Sequence, residues 1–200
     1  MKKILNYLIC IILCVHILLL NVLAASGYQG YVLYRDGNGA NLFWHTGIAV
    51  ESSEDDTDFV VHAMQGEVVE AVSWEEFLAS QEFMGLYTVS GVYTSSDRDI
   101  IVEDTLWLLD YDIPYSILSQ LDYNIDDVSG NYVYPRHIET MRYDGVVEYV
   151  FELNGYRIYG SDDYWDISYK SEDNQEHHSG WKITPISQAN YLVYCHDEIP

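Results

Sequence analysis

Three short segments rich in β-branched residues follow one another in the first half of the chain, and they constrain its fold more than any other feature. They are Thr46–Glu51, Phe59–Ala63 and Glu67–Val72. The stretches 52–58 and 65–66 that separate them are acidic or contain glycine, as turns do. Residues branched at Cβ favour the pleated conformation of a sheet. We therefore expect three strands joined as an antiparallel meander.

Two helices are expected after this meander, each beginning at a polar N-cap. Ser73 precedes a short segment, Trp74–Ser80, with two acidic residues in its first turn. Ser95 or Ser96 begins a longer helix, which is expected to run through residue 110 with a broad apolar face.

A third helix is predicted in the second half of the chain. Its apolar positions between Val146 and Leu153 share one face, and Asn154-Gly155 is a typical C-terminal stop. A fourth strand is predicted over Gly85–Tyr93. Strands followed by helices in this proportion predict the α+β class, with an antiparallel β-sheet packed against helices.

The remaining regions have weaker patterns. We expect loops over Ile113–Tyr134, a short helical turn over Arg136–Met141, and an irregular polar tail from about residue 156 that covers the surface. Neither a repeat nor a low-complexity linker divides the chain. The sequence therefore predicts a single domain over residues 26–200.

The first 25 residues have the pattern of a secretory signal peptide. Lys2 and Lys3 supply a positive start, an apolar run extends from Ile4 to Leu23, and small residues begin at Ala24. An uncleaved membrane anchor is the alternative, but polar residues interrupt the run. We expect a cleaved signal peptide over residues 1–25, a secreted or cell-envelope location, and no membrane span in the mature chain.

The charge balance excludes nucleic acid as a partner. The chain has 32 acidic residues against 9 Lys and Arg, and its formal net charge is −23. Binding to a phosphate backbone depends on cationic side chains, so neither nucleic acid nor an anionic membrane surface is expected to bind. The acidic loop Glu51–Asp58 could hold a cation, with a solvated turn as the simpler interpretation.

Cysteine is scarce in this chain. Cys10 and Cys14 lie in the predicted signal peptide, which leaves Cys195 as the single thiol of the mature domain. One cysteine forms no intramolecular disulfide, so stability must come from an apolar core. Hydrophobic residues make up 48% of the chain, and 19 tyrosines and 5 tryptophans supply large side chains for such a core.

Two histidines lie where the predicted meander brings strand ends together. His45 immediately precedes the first strand, and His62 is near the end of the second. If the two strands pair through the intervening turn, the end of one lies beside the start of the other. The two imidazoles would then be neighbours, as a general base and the polar group that orients it.

Other interpretations of the histidines remain open at this point. A strand histidine is often a packed or surface residue without catalytic function. Zinc binding is a further possibility for two close imidazoles, but no third ligand has a suitable spacing, so we expect neither a metal nor a cofactor. The pair His177-His178 lies in a polar stretch and is expected to be solvated.

The histidines and the third helix together resemble a known family. His45-Thr46-Gly47-Ile48, His62-Ala63 and the helix that opens with Asp144-Gly145-Val146-Val147-Glu148 are similar to circularly permuted papain-like proteins of the NlpC/P60 superfamily, the group of the YiiX-like hydrolases. The resemblance covers residues 30 to 160. It implies a permuted papain-like architecture, a histidine that precedes the nucleophile in sequence, and a cysteine nucleophile at the start of the helix.

The chain departs from this family at the nucleophile. Relatives read Arg-Cys-Asp-Gly where this chain has Arg142-Tyr143-Asp144-Gly145. A helix N-terminus stabilises a thiolate, whereas the phenol of tyrosine has a reference pKa of about 10 and is a poor nucleophile toward an amide. His45, His62 and Tyr143 are therefore the candidate site residues, with Tyr143 at the nucleophile position.

Two functions follow from the resemblance. The first is an exported hydrolase homologue that lost turnover with its cysteine and kept a cleft for a peptide or a cell-wall-like ligand. The alternative is an active amidase or peptidase of the same family, acting on amide or ester bonds of cell-wall peptides or lipids through a substitute nucleophile. Cys195 lies in the tail and precedes no helix, so it is a poor substitute.

Overall fold

The structure is a computed structural model, and it describes residues 27–37, 44–51, 58–91 and 93–196. The predicted signal peptide and the acidic stretch 52–57 lie outside these residues. The described strands are β1 Val32–Arg35, β2 His45–Glu51, β3 Asp58–Ala63, β4 Val69–Ser73, β5 Phe83–Thr88, β6 Leu121–Tyr123, β7 Ile138–Met141 and β8 Val193–His196. The α-helices are α1 Trp74–Leu78, α2 Ser95–Trp107, α3 Tyr143–Leu153, α4 Glu172–His177 and α5 Pro185–Tyr191.

Six of these strands form one antiparallel sheet in the order β4-β3-β2-β1-β5-β8. The predicted meander is present as β2, β3 and β4. The α+β class, with an antiparallel sheet and helices, is therefore confirmed. Within the described chain, no helix has the length and apolar character needed to cross a membrane.

The sequence patterns missed strand β1, which pairs with both β2 and β5 and so lies inside the sheet. All four of its residues are buried. A short strand buried on both faces has no apolar–polar alternation to reveal it. Its neighbouring side chains point to opposite faces. Val32 and Tyr34 join the larger core cluster, whereas Leu33 joins a smaller one with Phe77 of α1.

Helix α3 is buried in the larger core. It lies against β2 and β3, and every residue from Tyr143 to Glu152 is buried. The predicted apolar face is present, and Asn154 caps the helix as expected. The opposite face carries Glu148 and is also buried, because the C-terminal part of the chain covers it.

The expectation of an irregular tail from about residue 156 is wrong. The segment from residue 156 contains α4, α5 and β8, and β8 pairs with β5 as an edge strand of the main sheet. It is anchored by buried isoleucines at 158, 167 and 183. These apolar residues are too far apart to create a helix or strand period, which explains why sequence patterns indicated a loose segment.

Several boundaries also differ from expectation. Thr94 rather than a serine caps α2, and its side chain shares a capping box with Asp97. The predicted loop over 113–134 contains β6, which pairs with β7. The segment expected as a helical turn after residue 135 is a 3₁₀ turn, Pro135–His137, followed by β7.

Candidate functional site

The β2–β3 hairpin brings two buried histidines into contact. Nε2 of His45 and Nδ1 of His62 are 2.7 Å apart and share a hydrogen bond. The rings meet edge to face, and each side chain is almost fully shielded from solvent. The predicted proximity of the two histidines is thus confirmed.

Gly47 makes room for this contact. A Cβ atom at position 47 would lie 2.6 Å from Cγ1 of Val60 and 3.2 Å from Cβ of His62. The first of these distances is a clash. Residue 47 must therefore be glycine for the β2–β3 hairpin to close with this geometry.

Both histidines are neutral in the folded protein. Burial, and then the positive charge of Arg35, lower the pKa of His45 well below its usual value and that of His62 to about 4. A neutral pair needs one N–H donor and one lone pair, which the single hydrogen bond between the rings supplies. The second ring nitrogen of His45, Nδ1, takes no part in this hydrogen bond.

Tyr143 lies against this pair at the first turn of α3. Its ring centroid is 4.5 Å from that of His45, and it stacks at 6.1 Å on Tyr115. Strand β7 ends at Met141 and α3 begins at Tyr143, and the ring contact with His45 places residue 143 beside the start of β2. The structure therefore brings all three predicted site residues together.

The environment of Tyr143 keeps its phenol protonated. Burial, followed by the nearby carboxylate of Asp144, raises the pKa of Tyr143 well above its usual value. A nucleophilic role would require the phenolate, which a neutral histidine of lowered pKa is too weak a base to generate. Tyr143 therefore contacts His45 as a neutral phenol.

The start of α3 is fixed by a close chain crossing. A Cβ at Gly145 would lie 1.8 Å from the backbone oxygen of Gln120. The same oxygen accepts a hydrogen bond from the backbone N–H of Arg142 at 2.9 Å. Glycine in the Asp-Gly pair is therefore a steric requirement, since it lets the chain at residue 120 pass over the first helical turn.

A buried ion pair supports the same turn. The guanidinium of Arg142 donates to both carboxylate oxygens of Asp144, at 2.5 and 2.8 Å. It also donates to backbone oxygens of Gly180 and Ile183, and its cation lies 4.3 Å from the ring centroid of Trp181. Arg142 therefore ties the helix start to the C-terminal segment rather than facing a ligand.

A cleft of about 190 Å³ opens beside His45 and Tyr143. Aromatic and apolar side chains form much of its wall, and one guanidinium reaches it. The residues that concern the function are Arg35, His45, Tyr115, Ile117, Tyr143 and Trp181. Sequence reasoning missed Arg35, Tyr115 and Trp181, because each reaches the cleft from a distant segment and none is part of a motif.

The expectation that His178 is solvated is wrong. Its side chain is 1% exposed, and Nδ1 lies 3.0 Å from Oε1 of Gln120 and 3.4 Å from Oε1 of Glu148. Its neighbour His177 is half-buried beside Asp162. His178 is covered because it lies against Glu148 of α3 and against Gln120, which are long-range contacts without a local sequence signal.

Three buried side chains could supply ligands to a metal ion. Glu148, Glu152 and His178 place one ligand atom each within 4.8 Å of one another. Each already has polar neighbours, however. Glu152 accepts backbone N–H bonds from Ile158 and Ile167, and the amide of Gln120 donates to Glu148 at 2.7 Å. The cluster is therefore a buried polar network between α3 and the C-terminal segment, in which Oε1 of Glu148 and Nε2 of His178 have no hydrogen-bond partner among the described residues.

Comparison of this chain with models of protein families, with curated proteins and with solved structures found no match.

Proposed function

We propose that this chain is an exported, catalytically inactive homologue of permuted papain-like hydrolases of the NlpC/P60 type, whose cleft binds a peptide or cell-wall-like ligand. The contact between His45 and Tyr143 carries the proposal. In the active arrangement a thiol at the helix start would meet the imidazole there. Here a protonated phenol occupies that space, and its ring narrows the position that a substrate carbonyl needs.

The remainder of the site supports binding. The cleft is lined by aromatic rings, which give contact area at little cost in side-chain entropy. His45 lines the cleft and is buried, neutral and hydrogen-bonded to His62, so the hydrogen bond holds its ring in place. Such a surface suits recognition of a small ligand.

An active amidase or peptidase of the same family is the second candidate. The intact hydrogen bond between His45 and His62 favours it, because a base with its orienting partner is present. A substitute nucleophile would have to come from outside position 143. The described thiol, Cys195, is exposed on β8 and is not among the residues that line the cleft.

Restoring the cysteine tests the proposal. In a Cys195→Ser background, the protein and its Tyr143→Cys variant are treated with p-nitrophenyl acetate. The introduced thiol, having lost its proton to His45, attacks the acyl carbonyl and expels p-nitrophenolate, which leaves a thioester. We expect acylation of position 143 in the variant, mapped by mass spectrometry, and none at this position in the protein with tyrosine.

Two controls locate the chemistry. Adding His45→Ala should abolish the burst of p-nitrophenolate. Tyr115→Cys places a thiol in the same cleft but away from a helix start, and it should react no faster than an ordinary exposed cysteine. Ester or peptidoglycan turnover by the chain with Tyr143 in place, lost with Tyr143→Phe, would overturn the inactive assignment. Absence of acylation in the Tyr143→Cys variant would overturn the papain-like arrangement.

A further inference from the structure

Arg35 is a buried cation without an anionic partner in the described part of the chain. It ends β1 and is only 4% exposed. Its Nη1 donates to the backbone oxygen of Asp36 at 3.1 Å, and its Nε has no hydrogen-bond partner among the described residues. The ion pairs of the described chain do not include Arg35.

Among the described residues, the groups around Arg35 compensate its charge only weakly, since the adjacent Asp36 attracts it without forming an ion pair. Its guanidinium carbon lies 5.6 Å from the ring centroid of Phe77, a weak attraction. Strand pairing places Arg35 directly opposite His45. That histidine is neutral, and it is hydrogen-bonded to His62 rather than to the guanidinium. Arginine does not lose its proton in proteins, so the charge persists and favours an anion beside it.

Arg35 also lines the cleft, where a ligand can reach it. Binding sites for drug-sized molecules enclose about 300–1,000 Å³. At about 190 Å³, this cleft holds a smaller group. One or two residues at the end of a peptide fit that size, whereas the middle of a folded chain does not.

We propose that the cleft binds the C-terminal carboxylate of a short peptide through Arg35, an inference that rests on the proposed ligand-binding function and specifies its ligand. A guanidinium presents parallel N–H donors that match the two oxygens of a carboxylate. The aromatic rings of Tyr143 and Trp181 then contact the last side chain of the peptide.

The charge of the site favours a carboxylate over a phosphate. Among the described residues that line the cleft, Arg35 is the cationic one. Arg142 lies behind Trp181, and Asp144 neutralises its charge. One guanidinium balances a single negative charge. A phosphate dianion would keep an excess negative charge in a protein whose formal net charge is already −23.

The test compares N-acetyl-alanyl-alanine with its C-terminal amide, which differs only in the charge of the last group. Binding is followed by chemical-shift changes of the Trp181 indole N–H. We expect the free carboxylate to bind at least tenfold more tightly than the amide. Arg35→Gln should reduce its affinity to that of the amide, and Arg35→Lys should restore part of the difference.

Arg136→Gln is the matched control, because it removes the same charge at an exposed position beside Tyr134 and should leave the affinity unchanged. Equal binding of the two peptides, or binding of neither, would overturn the inference. So would tighter binding of inorganic phosphate than of the peptide. The inactive assignment is judged separately by ester turnover, so a failure of either proposal is recognised without reference to the other.

Discussion

His45 and Tyr143 contact each other across the junction of strand β2 and helix α3, with 4.5 Å between their ring centroids. This relationship combines the two halves of the site. One residue belongs to the hairpin that brings the histidines together, and the other begins the buried helix. Changes at either position therefore report on the same local packing.

Removing the tyrosine ring should destabilise the protein, whereas removing its hydroxyl should not. Tyr143→Ala deletes the ring contacts with His45 and Tyr115 and opens a void, so we expect the free energy of unfolding to fall by about 3 kcal/mol. Tyr143→Phe keeps the ring and should change it by less than about 1 kcal/mol. Urea denaturation followed by tryptophan fluorescence measures both. An equal loss in the two variants would contradict a packing role for the ring.

The His45–His62 pair should lose stability in acid. The pKa of His62 is lowered from 6.5 to about 4 by burial and by Arg35. Between these values the unfolded chain binds a proton at His62 that the folded chain does not, so the free energy of unfolding falls as the pH drops from 6.5 to 4. The slope from this group is at most about 1.4 kcal/mol per pH unit.

Proton NMR titration of the His62 ring checks this directly, with a midpoint near pH 4 expected. In denaturation curves recorded across the same pH window, the free energy of unfolding of His62→Gln should fall less steeply with decreasing pH than that of the parent chain. A midpoint near 6.5 would show that the imidazole is solvated and that the buried pair does not form.

The chain crossing at α3 should tolerate no side chain on residue 145. Gly145→Ala places a methyl group 1.8 Å from the backbone oxygen of Gln120, and backbone yields less readily than a side chain. We expect a loss of at least about 3 kcal/mol in the free energy of unfolding, the upper end for overpacking.

Gly155→Ala is the comparison for Gly145, because the space around Gly155 is open and only its positive φ of 78° opposes a side chain. That strain should cost about 1 kcal/mol. Thermal unfolding followed by circular dichroism distinguishes the two substitutions. Similar melting temperatures for both variants would contradict the close crossing.

The buried pair of Arg142 and Asp144 should be sensitive to loss of one partner. Asp144→Asn leaves the guanidinium uncompensated in the core, and we expect a loss of about 3–5 kcal/mol. Adding Arg142→Gln removes the orphaned charge and should recover part of this loss. A double-mutant cycle in urea measures the coupling, and additive effects of the two substitutions would refute the pair.

Arg35→Gln, unlike the substitutions above, is expected to stabilise the folded protein. It removes a buried charge that has no described counter-ion, so the free energy of unfolding should rise, by about 1 kcal/mol. Measurement without ligand, at fixed pH and salt, compares it with Arg136→Gln. A loss larger than that of the exposed control would mean that the guanidinium is already compensated in the free protein.

The hairpin and the helix start could be predicted because their signals are local. Turn residues separate the strands that carry His45 and His62, so their proximity follows from strand pairing alone. The helix opened by Tyr143 has an apolar face and a clear stop at Asn154. Local signals of this kind depend on neighbouring residues and need no knowledge of the remaining fold.

The rest of the site depends on contacts between distant segments. Arg35 lies on a strand too short to show a period, and it reaches the cleft because β1 is inserted between β2 and β5. His178 meets Gln120 across 58 positions of sequence. Nothing in the polar stretch around His178 indicates burial, since the shielding comes from α3 and not from its own neighbours.

The position of β8 has a consequence for how this protein is made. The strand that completes one edge of the sheet ends at residue 196, and it pairs with a strand more than a hundred residues earlier in the chain. Residues 193–196 therefore have to leave the ribosome before that edge exists. Completion of the sheet therefore depends on a pairing between distant segments, which is slow to form.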